Sequence, residues 1–240
     1  MAIDYDDPAI WGPDGLYDYT FGGAPPGTVR ARVGYYGPAL GYDGIVAIVD
    51  AAFGGAAARN KRIVLLGAGY GREVEQLIAL GYSRTVAVET SAFIHATAGD
   101  TWQPDVEAAL VAAGHDLADP YAVRSLALYD NTQTKGRVPL VDADVLTDVG
   151  RDAIVAALGG NPQVIATLSV MEGLTDVEGQ AITDAMQAFN GPQTIIHALH
   201  TGDGGPAYDD RLNWKSLAEW GAAISGVDAW VDLSTGEIAA

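Results

Sequence analysis

The chain contains no cysteine, which excludes disulfides, cysteine-ligated metal and a cysteine nucleophile. Positive charge is scarce too. Thirteen Lys and Arg, three of them Lys, stand against 31 Asp and Glu, for a formal net charge of -18. Within about one Debye length, ~8 Å in physiological salt, such a surface repels polyanions and disfavours a nucleic-acid substrate. No apolar run approaches the ~18 residues of a membrane span, and the stretch from Met1 to Pro8 is acidic where a secretory leader would be basic and then apolar. A cytoplasmic protein with no membrane association is expected.

What is present is a chain of 240 residues with 49% hydrophobic content, enough for one well-buried domain. Residues 1–41 are rich in Gly, Pro and Tyr and lack helical or strand period, so they read as an irregular arm; 42–240 reads as one domain. From Asp43, Ile45, Ile48, Val49, Ala52 and Phe53 follow helical spacing up to Gly54 and Gly55. Strands are predicted at 62–66, 84–89, 138–142, 164–170, 193–199 and 227–233. Helices are predicted after the first glycine turn and at 148–158, from the Thr175 to Glu178 capping-box spacing, and at about 213–224. The connection at 91–136 is long for one crossover and predicts a helical insertion. Pro139 predicts an edge position for the third strand. Strands alternating with helices imply an α/β fold, doubly wound and mostly parallel, with helices on both faces.

The first strand runs into Gly67-Ala68-Gly69-Tyr70-Gly71 and then an amphipathic helix, a strand, tight turn and helix N-terminus where backbone amides can approach a ligand. The second strand ends on Glu89, a carboxylate placed to accept two hydrogen bonds from a ribose diol. The glycine spacing is GxGxG, and Arg72 stands where a dinucleotide fingerprint places its third glycine. No Lys-Ser or Lys-Thr follows to make a P-loop. Ligands of doubly wound sheets bind beyond the carboxyl ends of the strands, which puts Gly67 to Gly71, Glu89, Asp144, Ser169 to Glu172 and His200 on one rim.

In Val64 to Gly71, Val86 to Glu89, Ala143 to Leu146 and Leu168 to Leu174 the chain resembles the class I S-adenosylmethionine-dependent methyltransferases, over roughly 45–233. The resemblance implies S-adenosylmethionine as cofactor. Gly67, Ala68, Gly69 and Gly71 would pass under its methionine and ribose portions, Glu89 would hold the ribose hydroxyls, Asp144 would face the adenine amino group and Ser169 would lie in the fourth-strand motif. Asp142 competes for the role of Asp144. The family commonly carries an acid two positions before the first glycine, where this chain has Leu65, and it usually closes with an antiparallel hairpin, for which only 234–240 remain here.

The expected activity is methyl transfer to oxygen or nitrogen of a small-molecule or protein acceptor. His200 and Glu172 are the candidate catalytic bases, with Asp203 a competitor on the same rim. His197, three residues from His200 on the same strand, would face the other way. Two alternatives stay open: the fold used as a non-catalytic binding or assembly component, with homo-oligomerisation through the C-terminal sheet edge, and an NAD-dependent oxidoreductase.

Overall fold

A computed structural model describes residues 41–68, 77–78, 80–90, 140–168, 170–199, 201, 213, 215–233 and 235–240, with side chains from residue 47 onward. The arm at 1–40, the insertion at 91–136, and Gly69, Gly71, Ser169, His200 and Asp203 lie outside the described residues.

The chain enters through α1 (Gly41–Phe53) and a 3-10 turn (Gly55–Ala58), then forms β1 (Ile63–Leu66), β2 (Thr85–Glu89) and β3 (Leu140–Asp142). There follow α2 (Asp148–Leu158), β4 (Val164–Leu168), a 3-10 turn (Met171–Gly173), α3 (Asp176–Gln187), β5 (Thr194–Leu199), α4 (Leu217–Ala223), β6 (Ala229–Asp232) and β7 (Ile238–Ala239). The seven strands order as β3-β2-β1-β4-β5-β6-β7, parallel throughout except for β7, which runs antiparallel to β6. β1, β2 and β4 are buried at every residue, as central parallel strands covered on both faces must be. β3 is half exposed, because it is the edge strand that Pro139 predicted.

Side-chain alternation along the strands builds two core layers. Ile63, Leu65, Ala87, Val164 and Ala166 pack on one face against Val49 and Phe53 of α1 and against Leu77. Val64, Leu66, Val86 and Ile165 pack on the other against Ile154 of α2 and Met186 of α3. Farther along that second face, Leu199 and Trp230 meet Trp220 of α4 and Ile224 just past its end. Helices therefore cover both faces, and the α/β, mostly parallel sheet expected from the sequence is present. Among the described residues no helix is long and apolar enough to cross a membrane.

Local signals set the helix ends. Thr147 caps α2 by accepting from the Gly150 N–H, and Gly159, at φ 70°, closes it, so its observed span equals the predicted one. Thr175 and Glu178 form the expected capping box at α3. Several strand ends lie one or two residues inside the predicted ones, and two boundaries differ for a visible local reason. The helix predicted from 213 starts at Leu217, because Ser216 and Glu219 form a second capping box there. The fourth strand ends at Leu168, because Val170 takes right-handed helical angles and leads into the 3-10 turn. The segment after Leu233 adds only the two-residue β7, so β6 pairs directly with β5 and β7 forms the open edge.

Candidate functional site

Strand order reverses between β1 and β4, and it is beyond the carboxyl ends of these strands that doubly wound sheets bind ligands. Here the chain leaves β1 through Gly67 at φ 62°. A Cβ at Gly67 would lie 2.5 Å from Val170 Cγ2, so both the left-handed conformation and the close approach of the chain leaving β4 require glycine. The next residue turns toward β2, its Ala68 N–H donating to the Val88 carbonyl at 3.1 Å. Gly67 and Ala68 are thus at the switch point; Gly69 and Gly71 are outside the described residues.

Glu89 ends β2 with 7% of its surface exposed, and its Oε1 accepts from the Thr90 N–H at 2.8 Å. A carboxylate held this deep at a strand end is costly unless hydrogen-bonded, which makes it a fixed acceptor rather than a solvated surface acid. In register beside it lies Asp142, the last residue of β3. Asp144, two residues on, is exposed. Its Oδ1 accepts from the Leu146 N–H at 2.9 Å, while its carbonyl accepts from the Thr147 N–H at 3.1 Å and Thr147 Oγ1 at 3.0 Å. The loop is pressed onto the first turn of α2, where a Cβ at Gly150 would stand 1.9 Å from the Asp144 carbonyl oxygen. Glycine inside this helix is what lets the Asp144 loop sit there.

Beyond β4, Glu172 lies in the 3-10 turn at 3% exposure, and its carbonyl accepts from the Asn213 N–H at 2.6 Å. His200, the other candidate base, is outside the described residues, although Leu199 and Thr201 on either side of it are described. One acid on this rim escaped the sequence reading. Asp232 ends β6 at 2% exposure, and its Oδ2 accepts from Thr201 Oγ1 at 2.9 Å and Thr235 Oγ1 at 2.8 Å. The signal was available, since Asp232 closes an apolar run just as Glu89 does. The carboxyl edge thus carries Gly67, Ala68, Glu89, Asp142, Asp144, Glu172 and Asp232, contributed by five strands and the segments that follow them.

His197 is not on this edge. It is fully buried, with Nδ1 2.8 Å from Thr167 Oγ1 and Nε2 3.0 Å from Thr183 Oγ1. Thr183 donates its own proton to the Gly179 carbonyl at 2.8 Å, so His197 Nε2 carries the ring proton and Nδ1 accepts from Thr167. Trp230 lies against the ring at 5.0 Å between centroids. Burial lowers the His197 pKa to about 3, which leaves a neutral imidazole tying β4, β5 and α3 together.

At the opposite, amino end of the sheet, Tyr82 donates from its hydroxyl to Asp50 Oδ1 at 2.7 Å, and Arg59 Nη2 stands 3.8 Å from Asp50 Oδ2. Burial, with the Asp50 carboxylate, raises the Tyr82 pKa far above its ordinary value. Tyr82 there fastens α1 to the approach to β2. Compared with known proteins, the chain matches no family model and no curated protein.

Proposed function

We propose that this protein is an S-adenosylmethionine-dependent methyltransferase acting on an oxygen or nitrogen of a small-molecule or protein acceptor, with the carboxyl edge around β1, β2 and β4 as its cofactor site. The observation that carries the reading is the Gly67 turn at the strand-order reversal, with a buried carboxylate, Glu89, ending the neighbouring strand. The fit is good at two points. A side chain at Gly67 would collide with Val170, so the turn remains bare backbone, and Glu89 is an anchored acceptor suited to a ribose diol. It is poor at two: Leu65, where the family commonly carries an acid, is 1% exposed and lies in the core with α1, and β6 runs parallel beside β5 with only the two-residue β7 to close the sheet.

The cofactor, when bound, supplies an already activated sulfonium methyl. The protein's part is orientation: Gly67 and Ala68 leave room, Glu89 holds the ribose, and Asp144 marks the adenine side. Glu172, or His200, accepts a proton only when the acceptor arrives protonated. His197 has no such role, because both of its ring nitrogens are engaged with buried threonines.

Two other readings each have an observation behind them. Strand order 3-2-1-4-5-6 with a parallel sixth strand is also the order of dinucleotide-binding sheets, which favours an NAD-dependent oxidoreductase. The core position of Leu65 favours a non-catalytic use of the fold. Isothermal titration with S-adenosylmethionine, S-adenosylhomocysteine and NADH separates them. Binding of the first two is expected, weakened about a hundredfold in Glu89→Ala, as loss of two hydrogen bonds to a charged acceptor at ~1.5 kcal/mol each requires. No heat with either ligand would reject the methyltransferase reading, and heat with NADH alone would select the oxidoreductase.

A further inference from the structure

We propose that the amino edge of the sheet docks the acidic carboxyl edge of a second copy of this chain, head to tail. Among the described residues positive charge is segregated along the strand direction. Of the six described Lys and Arg, four immediately precede β1 or β2: Arg59, Lys61, Arg62 and Arg84. Parallel pairing of Ile63 with Thr85 sets Arg62 beside Arg84, and the Ile63 N–H donates to the Arg84 carbonyl at 2.9 Å. Arg59 joins them by packing its Cδ over Gly81, 3.5 Å from where a Cβ there would stand.

Local acids cancel this group only in part, at Arg59. Asp50 is engaged by Tyr82 and Arg59, and Asp228, before β6, accepts from the Ile195 N–H at 2.7 Å. Arg62 Nε is held by the Asn161 carbonyl at 2.5 Å, but its charge stays at the edge. Among the described residues, Lys61 and Arg84 have no ion-pair partner, and Arg84 is exposed.

The carboxyl edge is the complement. Asp142, Asp144, Asp148 and Glu178 are exposed there, where the N-termini of α2 and α3 favour negative charge. The two described cations near them are already used, Arg151 by Asp148 and the Val145 carbonyl, and Lys215 by Asp176. Complementary surfaces at opposite ends of one molecule make a heterologous contact, which runs on beyond a dimer.

The net charge of -18 gives the association a distinctive salt dependence. At ~0.01 M salt two copies repel across the whole ~30 Å screening distance; at ~0.15 M repulsion beyond ~8 Å is screened while contact pairs persist; at ~1 M, with screening at ~3 Å, the contact pairs weaken too. Association therefore peaks at intermediate salt, whereas a purely apolar contact would strengthen steadily.

Sedimentation velocity of the full chain at these three salt levels, from micromolar to submillimolar protein, tests this. Species larger than a dimer are expected near ~0.15 M and fewer at either extreme. Arg84→Glu and Lys61→Glu, each checked for native circular dichroism, should each weaken association about tenfold, while Lys61→Arg should leave it intact. A monomer under all conditions overturns the proposal, as does association indifferent to both charge reversals. So does a dimer that stops at two and survives ~1 M salt, which would instead be pairing at the open β7 edge.

Discussion

Replacing His197 with Gln should remove a defined part of the protein's acid sensitivity. The imidazole is neutral in the fold, with a pKa of about 3, against ~6.5 in the unfolded chain. Between those values the unfolded state binds more protons, so the contribution is fully present above ~6.5 and is lost as pH falls toward about 3. Each pH unit inside this window costs ~1.4 kcal/mol, so lowering pH from ~7.5 to ~4.5 removes ~3 kcal/mol through this one group. Charging Nδ1 would also leave the Thr167 hydroxyl without its buried acceptor, which acts in the same direction. Gln keeps a donor and an acceptor but does not titrate. Carboxylates whose pKa values are lowered in the fold, such as Asp176, held down first by Lys215, and Glu178, held down by the Thr175 N–H, lose stability in the same acid range in both proteins and cancel in the difference. Urea unfolding at a series of pH values measures that difference. His197→Gln should be less stable at neutral pH by ~1–3 kcal/mol and should lose ~3 kcal/mol less than the wild type on acidification. Parallel pH profiles would refute a buried neutral His197.

Gly150→Ala offers a test of sign. In an ordinary helix interior this change stabilises by ~1 kcal/mol, whereas here the new Cβ meets the Asp144 carbonyl oxygen at 1.9 Å, so a lower thermal midpoint is expected. Gly67→Ala should destabilise by ~2 kcal/mol from strain at φ 62° together with the 2.5 Å approach to Val170. Adding Val170→Ala should recover part of that loss in urea unfolding, because it removes the clash and leaves the strained backbone; strict additivity of the two changes would show that they do not touch.

Sequence reading reached the local features, and for a local reason. Chain direction changes wherever a residue type forces it, so Gly67 and Gly159 marked turns with positive φ. Thr175 and Glu178 marked a helix start because both partners of the capping box lie within one turn. The same box at Ser216 and Glu219 was equally legible, and overlooking it placed the start of α4 too early. The nearly continuous apolar run at 164–170 marked β4 as buried on both faces, and the alternation of strands and helices carried the parallel sheet.

The sequence by itself therefore determined α1 to α4 and β1 to β6, their order, and the placing of Gly67 after β1, Glu89 at the end of β2 and Asp144 after β3. Tertiary structure decided what those elements do to one another. Only the pairing of β4 with β5 and the packing of α3 made His197 a buried tie instead of a titrating group, because Thr167 and Thr183 are 30 and 14 residues from it in sequence. Asp232 became a buried rim acid through Thr201, 31 residues away, and Gly150 became obligatory through the Asp144 loop folded back onto its helix. Period and composition record which face a residue takes along its own element. Which partner waits on that face is settled by contacts between distant segments, and these exist only once the sheet has closed around its two cores.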